Sequence, residues 1–123
     1  MPMHSIVVVE DNDSIALLME TILSTADYTV HIAKSGEEAL EICHHHHPRL
    51  IFMDLQLPNM DGFTACAMLR NEYPEINIIG FSAEMDTTVK RKCQAAGMAD
   101  AYDKDVDPDL LLEIAEKHTA NVQ

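Results

Sequence analysis

The sequence predicts an α/β fold in which a parallel sheet is covered by helices on both faces. Short apolar runs alternate with helix-like segments along the whole chain. The first run is rich in β-branched residues and too apolar for a half-exposed strand, as is typical of strands buried on both faces. The length of 123 residues suits one domain. We therefore expect five strands and five helices in a single domain over residues 1–123.

The strands are placed by the apolar runs, in chain order. They are predicted over residues 6–9, 28–33, 50–53, 76–81 and 99–102. A loop is indicated after the third run by Pro58, Asn59 and Gly62, which favour turns. Because the strands alternate with helices, each crossover should return the chain parallel to the preceding strand.

The helices are indicated by apolar residues at helical spacing. These residues are Ile15, Leu18, Met19, Ile22 and Leu23 in the first helix, Phe63, Cys66, Leu69 and Tyr73 in the third, Met85, Val89, Cys93 and Ala96 in the fourth, and Leu111, Ile114 and Ala115 in the fifth. The second helix should begin with a capping box, in which Ser35 is the N-cap and Glu38 reaches back to it, and run through Cys43. Gly97 is expected to end the fourth helix, and Pro108 to begin the fifth.

Composition limits the classes of partner and compartment. Eight Lys and Arg against 21 Asp and Glu give a net charge of −13, which argues against binding a nucleic-acid backbone. Cys43, Cys66 and Cys93 lack the CxxC spacing of a zinc or redox site, so we expect buried, reduced thiols and a cytoplasmic protein. No apolar run is long enough for a membrane span, and no signal peptide is indicated. We therefore predict no nucleic-acid and no membrane partner.

Four consecutive histidines, His44 to His47, lie near the end of the second helix. A run of imidazoles suggests a metal site. However, consecutive helical residues point about 100° apart, so all four cannot converge on one ion while the helix persists. We favour a plain solvated helix end and keep the metal site as the alternative.

Polar side chains follow four of the predicted strands. Glu10 and Asp11 follow the first, Asp54 the third, Ser82 the fourth and Lys104 the fifth. In open α/β sheets, ligands bind beyond the carboxyl ends of the strands. Two carboxylates about 4 Å apart repel by about 4 kcal/mol at an effective dielectric constant near 20, and a divalent cation would relieve this repulsion.

Oxygen-only ligands of this kind suit Mg²⁺. Asp54 could then act as a nucleophile towards phosphorus, with Lys104 and the Ser82 hydroxyl binding the phosphoryl oxygens. The sequence therefore predicts a phosphoryl-transfer site at this edge of the sheet.

Four segments resemble, in order and spacing, the response-regulator receiver domains of two-component signalling. They are residues 8–12, 53–62, 80–83 and 97–104. The resemblance implies a flavodoxin-like, doubly wound sheet with strand order 2-1-3-4-5. It also implies Mg²⁺ as cofactor, and as partners a sensor histidine kinase or histidine phosphotransfer protein and a downstream target.

The resemblance also implies a role for each matching residue. Asp54 would be the phosphoacceptor, Asp11 a direct metal ligand, and Glu10 a ligand acting through water. The backbone carbonyl of Gln56 would supply another metal ligand. Ser82 stands where the family has its switch Ser or Thr, and Lys104 is its phosphoryl-binding lysine.

The chain departs from the family pattern at two positions. Asp105 follows the lysine, where the family usually has proline and often a cis bond, so we expect a trans Lys104–Asp105 bond. We also expect Asp103 and Asp105 to take part of the lysine's charge. Ala101 stands at the position of the switch aromatic, and Tyr102, one residue later, should face the other side of the sheet. We favour core packing for Tyr102; both departures put the family's usual output mechanism in question.

The sequence argues against three other classes of protein. A constitutive scaffold would gain nothing from clustered acids. A phosphohydrolase with an Asp nucleophile would need a second Asp two residues later, where this chain has Gln56. No stretch fits a twelve-residue calcium loop with Gly at its sixth position. We expect a switch or phosphoryl relay rather than an enzyme with other substrates, either acting alone or as part of a longer regulator.

Overall fold

The computed structural model describes residues 4–57 and 60–119. The strands form a five-stranded parallel sheet with the order β2-β1-β3-β4-β5. They are β1 (Ser5–Val9), β2 (Thr29–Ala33), β3 (Leu50–Asp54), β4 (Asn77–Ser82) and β5 (Asp100–Asp103). The predicted fold class and strand order are confirmed.

Five helices cover the sheet: α1 (Asp13–Ser24), α2 (Gly36–His46), α3 (Gly62–Glu72), α4 (Thr87–Ala95) and α5 (Pro108–Thr119). Strand residues alternate between two cores. Val7 and Val9 lie in the core beneath α2, α3 and α4, whereas Ile6 and Val8 lie in the core beneath α1 and α5. β3 is buried at every position, as its unbroken apolar sequence predicts.

The sheet register brings the carboxyl ends of the strands to one edge. Val9 pairs with Met53, so Glu10 follows directly beside Asp54. Asp54 pairs with Phe81, and the next residue, Ser82, pairs with Asp103. Lys104 then follows β5, and its backbone amide donates to the Ser82 carbonyl at 3.0 Å.

Each helix start is capped by a polar side chain, and only the cap of α2 was predicted from the sequence. Asn12, Asp61, Asp86 and Asp107 each accept a bond from a backbone amide three residues later. The Ser35 Oγ accepts from the Glu38 amide at 3.1 Å. The Glu38 carboxylate, however, accepts from the Lys34 amide at 2.9 Å, so the capping box closes one residue earlier than predicted.

Most differences between predicted and observed elements lie at their ends. α2 continues to His46, three residues beyond the predicted end. Gly97 follows α4 with a φ of +96°, a conformation that favours glycine. Gly62 begins α3. Pro58 and Asn59, which were predicted to lie in a loop, are outside the described residues.

Leu18 lies in α1, as its helical spacing predicts, but it is 59% exposed, and its neighbour Leu17 is 61% exposed. Ala16 and Leu23 are the buried residues of this helix. Helical spacing indicates a face, but it does not show how far the neighbouring elements cover that face.

The cysteines are free and buried, as predicted. Burial raises the pKa of Cys43 to about 12 and that of Cys66 to about 11, so neither thiol is a nucleophile near neutral pH. His44 to His47 are exposed, as expected for a solvated helix end. Within residues 4–57 and 60–119, no helix is long and apolar enough to cross a membrane.

Candidate functional site

Three carboxylates meet beyond the carboxyl ends of β1 and β3. Glu10, Asp11 and Asp54 each offer a carboxylate oxygen, and these oxygens lie within 4.8 Å of one another. Asp54 is 2% exposed and Glu10 is 3% exposed, whereas Asp11 faces solvent. The structure thus brings together the acids that the sequence placed at two strand ends.

The two buried carboxylates are oriented in the same way. One oxygen of each accepts a bond from the backbone amide two residues later: Glu10 Oε2 from Asn12 at 3.1 Å, and Asp54 Oδ1 from Gln56 at 2.9 Å. The other oxygen of each faces Lys104, whose Nζ lies 3.2 Å from Glu10 Oε1 and 3.1 Å from Asp54 Oδ2. Backbone amides therefore fix which oxygen is turned into the site.

The expected sharing of the Lys104 charge with Asp103 and Asp105 is wrong. Within the described part of the chain, the ion pairs of Lys104 go to Glu10 and Asp54. The Asp103 carboxylate instead accepts from the Asp105 amide at 3.3 Å, which turns it towards its own loop. The lysine reaches back over the sheet edge, where the buried carboxylates attract it more strongly than the better solvated Asp103 and Asp105 can.

The electrostatics of the site are dominated by negative charge. Burial raises the pKa of Glu10, and repulsion from Asp54 adds to this; the Asn12 amide and Lys104 act in the opposite direction. Burial alone would lower the pKa of Lys104, but Asp54 and Glu10 outweigh it, and the pKa of the lysine is raised. With all four groups ionised, three carboxylates against one ammonium leave two negative charges in excess.

A divalent cation fits this site. Its charge would balance the excess of two negative charges, and the three oxygen ligands are those that Mg²⁺ prefers. Asp54 Oδ2 is buried and makes no hydrogen bond, since its contact with Lys104 is an ion pair outside hydrogen-bond geometry. The ammonium balances the charge of this oxygen, and no backbone or side-chain group of the described residues occupies its remaining lone pair, so the atom is available for a new bond. The Gln56 amide lies beside the cluster, and the role of its carbonyl as a ligand stays a prediction.

Ser82 lies on the strand next to Asp54, at the end of β4. It is 5% exposed, and its Oγ accepts from the Glu84 amide at 3.3 Å. The Ser82 carbonyl accepts a hydrogen bond from the Lys104 amide, which fixes the serine and the lysine to each other through the backbone. The structure therefore places Ser82 and Lys104 at the same sheet edge as the three carboxylates.

Ala101 and Tyr102 face opposite sides of the sheet, as predicted. Ala101 is 1% exposed and belongs to the core beneath α2, α3 and α4. Tyr102 packs against the other core, 6.2 Å from the Phe81 ring. Its hydroxyl also donates to Asp100 Oδ2 at 3.0 Å, and Lys90 Nζ lies 5.8 Å from its ring centroid. The contact with Lys90 was missed because it joins two elements, which spacing within one element does not show. The contact with Asp100 could have been predicted, since residues two apart on a strand share a face.

The peptide bond between Lys104 and Asp105 is trans. The described residues contain no cis peptide bond, so this prediction is confirmed.

A cavity of about 100 Å³ lies between α1 and α5, next to the ion pair of Lys104 and Glu10. Its apolar wall is formed by Ile15, Leu18, Met19, Ile22, Phe81, Val106 and Leu111. The sequence did not predict this cavity, because a gap between two helices depends on how separate elements pack.

The chain is similar to known proteins over most of its length. Residues 6–116 match the family model described as "Response regulator receiver domain". A ycf27 protein of Porphyridium aerugineum, named as a probable transcriptional regulator, is 40% identical over 88 residues, which are 72% of this chain and 36% of that protein. The CAI-1 autoinducer sensor kinase/phosphatase CqsS of Vibrio cholerae is 34% identical over 110 residues, 87% of this chain and 16% of that protein.

The chain thus spans well under half the length of either relative. Among solved structures, the Vibrio cholerae chemotaxis protein CheY4 superposes with a TM-score of 0.91 at 26% identity, over 95% of this chain and 99% of that chain. The matched segment includes every residue of the site, from Glu10 to Lys104. The chain belongs to the response regulator receiver domain family of two-component signalling.

Proposed function

We propose that Asp54 accepts a phosphoryl group from a sensor histidine kinase or a histidine phosphotransfer protein, in a Mg²⁺-dependent reaction. The observation that carries this proposal is the state of Asp54 Oδ2. It is buried and without a hydrogen bond, lies 3.1 Å from Lys104 Nζ, and shares its site with Glu10 and Asp11. A carboxylate oxygen held in this way is poised as a nucleophile.

The residues divide the reaction between them. Asp54 Oδ2 forms a bond to phosphorus, the bond between phosphorus and the donor imidazole breaks, and the imidazole leaves with the bonding electron pair and takes up a proton. The product is an acyl phosphate on Asp54. Mg²⁺ supplies positive charge against the phosphoryl oxygens when it is bound by Asp11, Asp54, Glu10 through water, and the Gln56 carbonyl. Lys104 exchanges its contact with Asp54 for a phosphoryl oxygen, and the Ser82 hydroxyl donates to another.

The signal then passes to a downstream protein target or, as a phosphoryl group, to a relay partner. The domain catalyses its own phosphorylation and dephosphorylation and acts on no other substrate. We place this exchange in the cytoplasm, which the three reduced thiols support. The acidic chain favours protein partners over nucleic acid, and the lack of a nucleic-acid partner stays a prediction for this chain.

Incubation with a small phosphodonor and Mg²⁺, followed by mass spectrometry, tests the proposal. We expect one phosphoryl group per chain, on Asp54, and none on Asp54→Asn. Asp61→Asn is the matched control, because Asp61 caps α3 outside the cluster and Asn caps a helix equally well. An unlabelled wild-type chain would indicate a scaffold, and continuous phosphate release a hydrolase; either result would overturn the proposal.

A further inference from the structure

Two histidine rings stack between β2 and the end of α2. The His31 and His46 rings lie 4.0 Å apart between centroids, with 23° between their planes. His31 is on β2 and His46 is the last residue of α2. α2 begins just after the carboxyl end of β2, and ten residues of helix extend about 15 Å. The end of α2 that the stack holds is therefore the one farther from the carboxylates.

The surroundings of His31 on β2 are largely apolar. Ala33 lies in the core beneath α2, so His31, two residues earlier on the strand, faces the same helix. Val30 faces α1 and α5 instead. β2 is an edge strand, and on β1 the partner of His31 is Val7. The buried titratable side chain of α2 is Cys43, whose pKa burial raises to about 12, so this thiol carries no charge near neutral pH.

A positive charge on His31 is opposed in two ways. Burial is the larger cause and the neighbouring His46 the second, and both lower the pKa of His31. His46 is exposed and lies at the C-terminal end of a helix, where a cation is favoured. The first proton on the pair is therefore kept off His31 and goes to His46. The acids of α2 are exposed and screened by water: Glu37, Glu38 and Glu41.

We propose that the stack of His31 on His46 is an acid-sensitive latch on the end of α2. With at most one proton on the pair, the rings stay stacked and hold the last turn of the helix against β2. With a proton on each ring, two like charges about 4 Å apart repel, and the last turn opens. The latch gives the domain a response to acid that does not use Asp54.

The direction of the pH dependence follows from His31. Its pKa is lowered in the folded chain, so folding favours the neutral ring. The stability that this contributes is fully present above the ordinary histidine pKa of about 6.5. It is lost as the pH falls below that value and through the lowered pKa of His31. Mild acid should therefore open the latch, and a return to neutral pH should close it.

Other groups make the stability of the whole domain depend on pH as well. Burial, and after it Lys117, lowers the pKa of His118 at the end of α5. Burial also raises the pKa of Glu10 at the carboxyl edge. Both residues lie on elements other than β2 and α2. A test of the latch must therefore measure His31 and the last turn of α2 locally, rather than a melting temperature.

The test is an NMR titration of the full chain from about pH 8 to about pH 5, across the ordinary histidine pKa. The matched variant is His46→Phe, which keeps a ring over His31 but cannot be charged. The His31 ring should titrate at a lower pH in the wild type than in this variant. Hydrogen-exchange protection of the last-turn amides of α2 should fall at least about fivefold more in the wild type over the same range.

Two controls locate the effect. His44→Gln shortens the same histidine run outside the stack and should respond as the wild type does. Asp54→Asn should do so too, which separates a failure of the latch from a failure of phosphoryl capture. The latch is refuted if His31 titrates at the same pH in the wild type and in His46→Phe. Equal loss of protection in those two chains would place the acid-sensitive group elsewhere, and a lost response in His44→Gln would assign it to the whole histidine run; either result overturns the inference.

Discussion

The carboxyl edge of the sheet and the region around β5 and α4 are built in contrasting ways. At the carboxyl edge, Glu10 and Asp54 are each held by a backbone amide and share Lys104, yet Asp54 Oδ2 is left without a hydrogen bond. Around β5, the small Ala101 is sealed in the core and Tyr102 is tied to Asp100. The first region is prepared for a new bond, whereas in the second Ala101 is enclosed by the core and Tyr102 is held through its hydroxyl.

This contrast separates phosphoryl capture from output. The residues proposed to accept a phosphoryl group lie together at the carboxyl edge. Ala101 stands where the family resemblance implies a switch aromatic. We therefore expect large effects from substitutions at the carboxyl edge and small functional effects around β5.

The largest effect is expected from Asp54→Asn. It removes the nucleophile and should abolish phosphorylation. It also removes one of three clustered negative charges, so thermal stability without Mg²⁺ should rise or stay level. Phosphodonor labelling and thermal melts measure the two effects, with Asp61→Asn as the control. A marked loss of metal-free stability would mean that Asp54 is chiefly a structural acceptor for the Gln56 amide and Lys104.

The next effect concerns Mg²⁺ and Asp11. Binding to the folded state alone stabilises it by RT ln(1 + [Mg²⁺]/Kd), or about 2.7 kcal/mol at a hundredfold excess over Kd. Asp11→Ala should remove most of this gain and change the metal-free stability little, because Asp11 is exposed. Melting curves with and without Mg²⁺ measure this, and Asp13→Asn, a nearby exposed acid outside the cluster, should respond as the wild type does. A wild-type melting temperature that ignored millimolar Mg²⁺ would exclude the metal site.

The position of the site residues could be predicted from the sequence, whereas contacts between separate elements could not. The acids and the lysine were predicted to meet because parallel strands end at one edge, and topology fixes the position of a residue that directly follows a strand. The partners of Lys104 were not predicted, since a long side chain can reach several acids and only burial decides among them. The ring stacking of His31 on His46 and the exposure of Leu18 depend on how separate elements pack. The spacing of residues within one element does not carry this information.

A smaller effect is expected at Ala101, where the family resemblance implies an aromatic residue. Ala101 pairs with Gly80, and a Cβ added at Gly80 would lie 2.7 Å from Met98 Sδ, so this side of the sheet is already filled. Ala101→Phe should therefore destabilise the domain by about 1–3 kcal/mol through overpacking rather than restore a switch. Urea unfolding measures this. Ala99→Phe, at an exposed position nearby, is the control and should cost much less.

The smallest effect is the most informative about output. Beryllofluoride, which mimics a phosphoryl group on Asp54, should shift the amide NMR signals around Asp54, Ser82 and Lys104. The signals around Ala101 should move little, because this residue is buried beneath packed side chains and carries nothing that could swing out. Tyr102 is held through its hydroxyl and should also stay in place.

The signal should instead appear on α1, near Ser14 and Ile15. This helix follows the two acids directly, and Ile15 lines the cavity next to the ion pair of Lys104 and Glu10. When Lys104 exchanges Asp54 for a phosphoryl oxygen, its ion pair with Glu10 must shift as well, and we expect the wall of this cavity to adjust. Tyr102→Phe is a matched variant, since it removes only the bond to Asp100 and should leave the pattern of shifts unchanged. Shifts around Ala101 as large as those around Asp54 would contradict this account and indicate that β5 and α4 transmit the signal without an aromatic switch.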